Sequence, residues 1–339
     1  MKKMPRAFHS SRTAISAMSA FLLAMAPTAS MAEGSNNTAP FAGCTPLCNG
    51  GVCTSVLLAS YGSTRHIALT ENEVYFSGGV YPYISNGYVG RVSKSGGPSE
   101  LFIRDLATTT SVRQTGGELF VLGAASPLPG KVNRLNADGS FTGIPTTAGW
   151  PDFFTGDATH LYWVDRNDGN FYAVPRTGGT ASMVAQSSTP TKPRQALVDD
   201  DSLYWVNRTA NNKGWNLWKA PKTGGAAPTL LLFVPAGKFH AFALDANDIY
   251  FLDYYTGLNK LSKSGGAVTN IAYADDPGNI LAVDNERIYW IKDEVFTATC
   301  KDGSSSQVLT TETYSTDDIA VDDSGIYWSQ FYKVWKIAK

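Results

Sequence analysis

A short apolar–aromatic–apolar triplet recurs along this 339-residue chain: Val74-Tyr75-Phe76, Leu119-Phe120-Val121, Leu161-Tyr162-Trp163, Leu203-Tyr204-Trp205, Ile249-Tyr250-Phe251, Ile288-Tyr289-Trp290 and Ile326-Tyr327-Trp328. The central aromatics lie 45, 42, 42, 46, 39 and 38 residues apart. A period near forty through a whole domain requires a propeller or a solenoid, whatever local propensities suggest. Three successive apolar positions also need cover on both faces of a sheet, which blades packed face to face supply.

Each unit has the same internal order. A short apolar strand such as "ALVDD" or "LAVDN" leads through a tight turn into the aromatic strand. A third strand follows, ending in Lys or Arg ("VSK", "VPR", "APK", "LSK"). Glycine turns come next, at Gly96-Gly97, Gly178-Gly179, Gly224-Gly225 and Gly265-Gly266, with Asp138-Gly139 and Asp302-Gly303 in two variant units. These residues tolerate the positive φ of tight hairpins. A fourth apolar strand ("TLLLF", "QVLTT") closes the unit, so four antiparallel strands make one blade. β-branched and aromatic strands, and the lack of any long 3.6-residue periodicity, argue against helical repeats. With 12% aromatic and 17% charged residues the chain has the make-up of a folded protein.

The final unit sets the blade count. After Tyr327-Trp328 only a third strand, "KVWKIAK", remains, while "SVLLAS" at 55–60 matches the fourth-strand pattern before the first complete anchor. Supplying the missing strand from the N-terminal side closes the ring and removes exposed sheet edges. The expected fold is all-β, a seven-bladed propeller over residues 54–339 with four-stranded blades, its last blade completed by an N-terminal strand.

Ahead of the propeller, Lys2, Lys3, Arg6 and Arg12 precede the apolar run "AISAMSAFLLAMA" and the small residues "PTASMA". That order is a secretory signal peptide over residues 1–32, with an uncleaved N-terminal anchor as the alternative. Export to the periplasm, cell surface or medium follows, with no further transmembrane span. Residues 33–53 read as a flexible, cysteine-containing leader. Without residues 1–32 the chain keeps 24 basic and 29 acidic residues, a net charge of −5 and no basic patch, which disfavours nucleic acid as a partner. Cys44, Cys48, Cys53 and Cys300 suit disulfides in an exported protein, with three pairings open. A metal site is the weaker reading, since no histidine lies near them. "FAGC" at 41–44 is similar to a lipoprotein box but lacks its leucine and lies far from the apolar run.

Two repeat columns matter for function. Five residues before each central aromatic stand Thr70, Thr115, Asp157, Asp199, Asp245, Asp284 and Asp322. A carboxylate there serves as a turn acceptor at a strand end. Ten residues before each aromatic, where the innermost strand begins, the column reads Arg65, Thr110, Asp152, Arg194, His240, Asn279 and Asp317. That set varies from blade to blade and is almost wholly polar.

The stretches "IAVDDSGIYWSQ", "LAVDNERIYWIKDE" and "ALVDDDSLYWVN" resemble YWTD-type propeller repeats, above all in "AVDxxxxxIYW". The resemblance covers most of residues 55–339 and implies structural roles for Asp284, Tyr289, Trp290, Asp322, Tyr327 and Trp328. Two departures stand out. Those propellers usually have six blades, and the Thr-Asp pair after the aromatics is replaced by Val164-Asp165, Val206-Asn207, Ile291-Lys292 and Ser329-Gln330. Similar repeats occur in bacterial exported proteins of unassigned function, so a receptor role is not implied.

A propeller fold does not specify a function, but it does specify a place to look. Loops between second and third strands gather on one face, and here they offer Tyr81, Tyr83, Asp165, Arg166, Arg208, Trp215, Asp253, Tyr254, Tyr255 and Tyr332. Aromatic platforms beside polar groups suit a glycan, a peptide or a protein ligand. The expectation is a non-catalytic, monomeric recognition or scaffold module without a cofactor, or at most with a structural divalent cation such as calcium. The alternative is a periplasmic lyase or hydrolase with His240 as base, Arg65 and Arg194 holding an anion, and Asp152 and Asp317 beside them. No HExxH or GxSxG motif supports it. A purely structural surface protein is the third possibility.

Overall fold

The computed structural model describes residues 44–339, apart from 81–82, 107–110, 124–130, 145–150, 166, 188–192, 236–238, 312 and 314; the expected signal peptide and the first half of the leader lie outside the described residues. The described residues form seven four-stranded antiparallel sheets. Blades 1 to 6 each take four consecutive strands, beginning at Ser63, Ser111, Pro151, Pro193, Phe239 and Leu281. Blade 7 combines Thr316–Asp322, Gly325–Gln330 and Lys333–Ala338 with Val56–Ser60 from the other end of the chain.

That closing strand pairs Val56 with Lys336 and Ser60 with Lys333, antiparallel. Leu58 and Ala59 from it are buried against Phe76, Tyr88 and Tyr327, so it also seals the packing between blades 7 and 1. The repeated triplets form the cores between blades: Trp205 packs with Phe171 and Ala196, Tyr250 and Trp290 with Leu258, and Trp328 with Phe296. Every triplet aromatic and apolar residue is buried, as two-sided cover requires.

Residues 44–53, the second half of the leader, contact the propeller through a disulfide, a buried side chain and hydrogen bonds. Cys44 is bridged to Cys300, and Cys48 to Cys53. Leu47 is buried beside Tyr289 and Trp328. Gln307 donates to the Leu47 and Gly51 carbonyls and accepts the Leu47 N–H. The Cys44–Cys300 bridge spans 256 residues. Constraining so long a loop in the unfolded chain is worth on the order of 5 kcal/mol in the chain-entropy view.

The aspartate column lies at the far end of each innermost strand and does more than cap a turn. Oδ1 of Asp245 accepts the Asn247 and Asp248 N–H groups, while Oδ2 accepts the Tyr250 hydroxyl and the Lys301 ammonium of the next blade, at 2.9 and 2.8 Å. The pattern repeats with Asp157–Lys222, Asp199–Lys263 and Asp284–Lys339, at 2.8, 2.8 and 2.6 Å, and with Asp322–Lys94 between blades 7 and 1. The lysine is the basic residue that ends the third strand. In four cases its ammonium also lies 5.4–5.7 Å from the tyrosine ring, within cation–π reach. Between blades 2 and 3, where Thr115 replaces the aspartate, Arg176 instead bonds the Gly116 and Ala158 carbonyls and Glu118. Thus Asp284, Tyr289 and Trp290 have the structural roles that the repeat resemblance implies. Tyr327 differs slightly, bonding Ser324 rather than Asp322.

Candidate functional site

The opposite end of each innermost strand is built on a different rule. In blades 1, 3, 4, 5 and 7 the register with the second strand slips at that end, between Thr64 and His66, Pro151 and Phe154, Pro193 and Gln195, Phe239 and Phe242, and Thr316 and Asp318. Each slip is a β-bulge. The extra residues include Arg65, Asp152, Arg194, His240 and Asp317, five of the seven members of the polar column. A bulge leaves its residue out of the ladder and re-aims its side chain. Asn279 precedes the short strand of blade 6, and Thr110 lies outside the described residues, as does the Asp152 side chain.

Arg194, His240, Asn279 and Asp317 come together with Trp215 around a cavity of about 290 Å³ at the mouth of the ring. It shares Arg113, Arg194 and Asp318 with a larger cavity of about 550 Å³ that His66, Phe154 and Phe242 also line. Two stacks brace the mouth. The Trp215 ring carries the Arg194 and Arg208 guanidinium groups at 5.2 and 5.0 Å. His240 lies parallel to Tyr254 at 6.1 Å, and Tyr255 meets Tyr254 edge-on. Gln195 ties blade 4 to blade 5 beneath them, donating to the Phe242 carbonyl and accepting the Phe242 N–H.

Deeper in, Asp318 is the electrostatic hub. Its Oδ2 accepts the Ile67 N–H at 3.1 Å and the Arg113 guanidinium at 2.6 Å, with His66 Nδ1 at 3.7 Å. Burial acts to raise its pKa, but Arg113 and His66 outweigh burial and hold it at about 2. The neighbouring Asp317, at the exposed rim, moves the other way. Desolvation and the Asp318 charge push it up more than Arg65 and His66 pull it down. The two adjacent carboxyls therefore differ in acidity, one a fixed anion and the other a weaker acid open to solvent. Arg194, by contrast, has no carboxylate within ion-pair distance among the described residues.

The loop residues divide into surface and interior. Tyr255 and Tyr332 are exposed, at 57% and 46%. Tyr254 and Arg208 are half-buried. Trp215, Asp165 and Asp253, three of the loop residues expected to contact a ligand, are buried. The reason is local. Asp165 accepts the Asn167 N–H, and Asp253 accepts the Tyr255 and Thr256 N–H groups, so each is used to make its tight turn. Trp215 begins a third strand and packs with Val206, Leu217 and Phe239, reaching the mouth through the arginines on its face. Tyr81, Arg166 and the Tyr83 side chain lie outside the described residues. Sequence reasoning missed His66, Arg113 and Asp318. The signal was the polar residue following the bulge position, at 66 and 318.

Among the described residues no group of three or more His, Cys, Asp or Glu is placed to hold a metal ion, and no helix is long and apolar enough to cross a membrane. No protein-family model matches the chain, and no curated protein matches it in sequence. Solved structures do. The chain is similar to YCF48 bound to D1 peptide, with a TM-score of 0.63 at 12% identity over 87% of this chain and 97% of that one. It is similar to puromycin hydrolase, with a TM-score of 0.64 at 12% identity over 84% of this chain and 54% of the other. PorZ of Porphyromonas gingivalis, an essential surface component of the type-IX secretion system, gives 0.57 at 13% identity over 83% of this chain, which spans 37% of PorZ. At these identities the likeness is one of fold. The same fold thus occurs in bacterial exported and surface proteins and also in an enzyme.

Proposed function

We propose that the protein is an exported, non-catalytic recognition module that binds a peptide or glycan bearing an anionic group at the bulged mouth of the ring. The observation that carries this reading is the bulge column. Five blades place an unladdered residue at the same corner, and its identity changes from blade to blade while the fold around it repeats. Arg194, stacked on Trp215 and lacking a carboxylate partner among the described residues, supplies the anion contact. A guanidinium in that setting accepts a carboxylate or phosphate in a two-pronged pair. Tyr254, stacked on His240, and Tyr255 against it supply apolar area. The rigid ring holds these groups in place before the ligand arrives, which lowers the entropy cost of binding. The leader-like residues 1–32, the two disulfides and the recurrence of the fold in surface proteins support export.

The test is a thermal-shift screen of residues 33–339 against acidic and neutral oligosaccharides, cell-wall fragments and short peptides, repeated with Arg194→Gln. A saturable shift with acidic members, lost in the variant, supports the reading. A shift indifferent to ligand charge refutes it. The acidity difference between Asp317 and Asp318 favours one second reading, a hydrolase or lyase at the same mouth. Turnover of a bound ligand that disappears in His240→Ala while binding persists would establish that reading instead.

A further inference from the structure

Beside the mouth, the second-to-third-strand turn of blade 5 and the crossing from blade 5 to blade 6 form one exposed surface. After the outermost strand of blade 5 ends at Ala272, residues 273–280 run inward from the rim to Asn279, which lines the mouth cavity. The Asp276 N–H donates to the Tyr254 carbonyl at 3.1 Å, and Gly257 leaves no room for a Cβ against Ala272 and Ala274. Turn and crossing are therefore in direct contact. Tyr255 and Tyr273 stand on these two segments, 57% and 60% exposed, and are the most exposed aromatic residues among the described ones. The surface is continuous with the mouth on both sides, through Asn279 and through Tyr254, which stacks on His240.

Around the two rings stand four exposed carboxylates. Asp275 and Asp276 lie on the crossing, and Asp293 and Glu294 form the neighbouring turn of blade 6. The Gly278 N–H ties the crossing to that turn through the Ile291 carbonyl at 3.1 Å. The clasp aspartates each meet a lysine, but among the described residues no lysine or arginine lies within ion-pair distance of these four. Lys292 is the one basic residue on the two segments. Asp293 and Glu294 have φ values of 49° and 63° in a two-residue hairpin between Lys292 and Val295. Asn-Gly is the favoured pair in such a turn, so these charges stand there at a backbone cost. On the blade 4 side of the mouth the sign reverses, where Arg194 and Arg208 lie on Trp215.

We infer that the ligand of the mouth is a peptide which carries, besides its anionic group at Arg194, a lysine or arginine seated on the Tyr255 and Tyr273 surface among the four carboxylates. The inference rests on the reading of the mouth as the recognition site. Opposite charges on two sides of one opening select a ligand with both signs, because each side repels the wrong one. A basic side chain also fits the aromatic part of the surface. Its cation is attracted by the tyrosine faces as well as by the carboxylates, and its methylene stem covers ring area. A neutral glycan leaves the carboxylates without a counter-charge, and an acidic glycan brings further negative charge to them.

The experiment is calorimetry on the disulfide-bonded protein with acetylated pentaalanine bearing a free C-terminal carboxylate, and with its analogues holding lysine at the first, second or third position. One lysine analogue should bind at least about tenfold more tightly than pentaalanine at low salt. That gain should shrink in about 0.5 M sodium chloride, which screens exposed charges. Asp293→Asn with Glu294→Gly introduces the favoured turn pair, so this variant should melt at or above the wild-type temperature. It should also lower the lysine gain to about threefold. Adding Asp275→Asn and Asp276→Asn should abolish the gain and leave pentaalanine binding unchanged. Arg194→Gln should weaken every peptide by the same factor. The inference is overturned if no lysine analogue exceeds pentaalanine, if the gain survives loss of all four carboxylates, or if no peptide binds by about 10 mM. Its failure is distinct from failure of the mouth reading. With the lysine gain absent, weakening of pentaalanine by Arg194→Gln still upholds the mouth, as does a thermal shift with acidic oligosaccharides alone. A lysine gain accompanied by pentaalanine binding that is indifferent to Arg194→Gln refutes the mouth instead.

Discussion

The two ends of the innermost strands differ in how they treat charge. At the Asp157, Asp199, Asp245, Asp284 and Asp322 end, each carboxylate meets backbone N–H groups at its turn and a lysine from the next blade. At the Arg65, Arg194, His240 and Asp317 end the ladder bulges, the residue type changes at each blade, and an arginine is left without a carboxylate among the described residues. Chemistry repeated blade after blade with its bonding capacity filled holds the ring together. Chemistry that varies at a fixed backbone feature is where the proposed recognition site lies. In a repeat protein, the departures from the repeat therefore carry more functional information than the repeat itself.

Four tests break or sharpen that contrast. Cutting the staple beside the clasp end with Cys44→Ser should cost about 2–5 kcal/mol, read as a lowered denaturant midpoint, and reducing agent should add nothing further from that bridge. Asp245→Ala should cost about 3 kcal/mol, since it strands the Lys301 ammonium and removes the acceptor for two backbone N–H groups and a tyrosine hydroxyl. Arg194→Gln, at the other end, should cost less than about 0.5 kcal/mol. Equal costs would erase the distinction between the two ends.

Acid provides the third test. Burial raises the carboxyl pKa of Asp245 and of Asp284, but Lys301 and Lys339 overcome it and leave both at about 2. Because the folded value lies below the unfolded one of about 3.9, the clasps contribute fully above pH 4. Their contribution is lost as pH falls towards 2. Lys301→Met should be less stable near neutral pH and should lose less stability than the wild type between about pH 4 and pH 2, because Asp245 then returns towards its ordinary acidity and the folded and unfolded values converge. The smallest effect is a gain. Thr70 and Asn136 occupy the clasp positions between blades 1 and 2, and Thr70→Asp with Asn136→Lys should add about 0.5–1 kcal/mol, visible as a small rise in melting temperature.

The fold was legible because the repeat is written in large residues. Triplets such as Ile288-Tyr289-Trp290 must be covered on both faces, and their spacing narrows the architecture to a propeller or a solenoid. The "VLLAS" strand could be assigned to blade 7 because the final unit lacks its fourth strand. The lysine half of each clasp was less visible, since Lys301 and Asp245 are 56 residues apart and meet only when blades pack. The site was legible by position and less so by residue. The polar column grouped Arg194 with His240 at the mouth, but nothing in the loop sequence said that Trp215 would be only 2% exposed. Aromatics in a short loop carry the same letters whether they point outward, as Tyr255 does, or begin a buried strand.

The most direct test of the account is ligand affinity and melting temperature measured side by side in Arg194→Gln and Lys301→Met, using whichever acidic ligand gives the largest wild-type thermal shift. The account predicts that Arg194→Gln loses at least about tenfold in affinity, or about 1.4 kcal/mol, at an unchanged melting temperature. Lys301→Met should melt several degrees lower and keep its affinity. A ligand that binds Arg194→Gln as tightly as wild type, or is lost in Lys301→Met while the ring stays folded, would contradict the assignment of recognition to the bulged mouth.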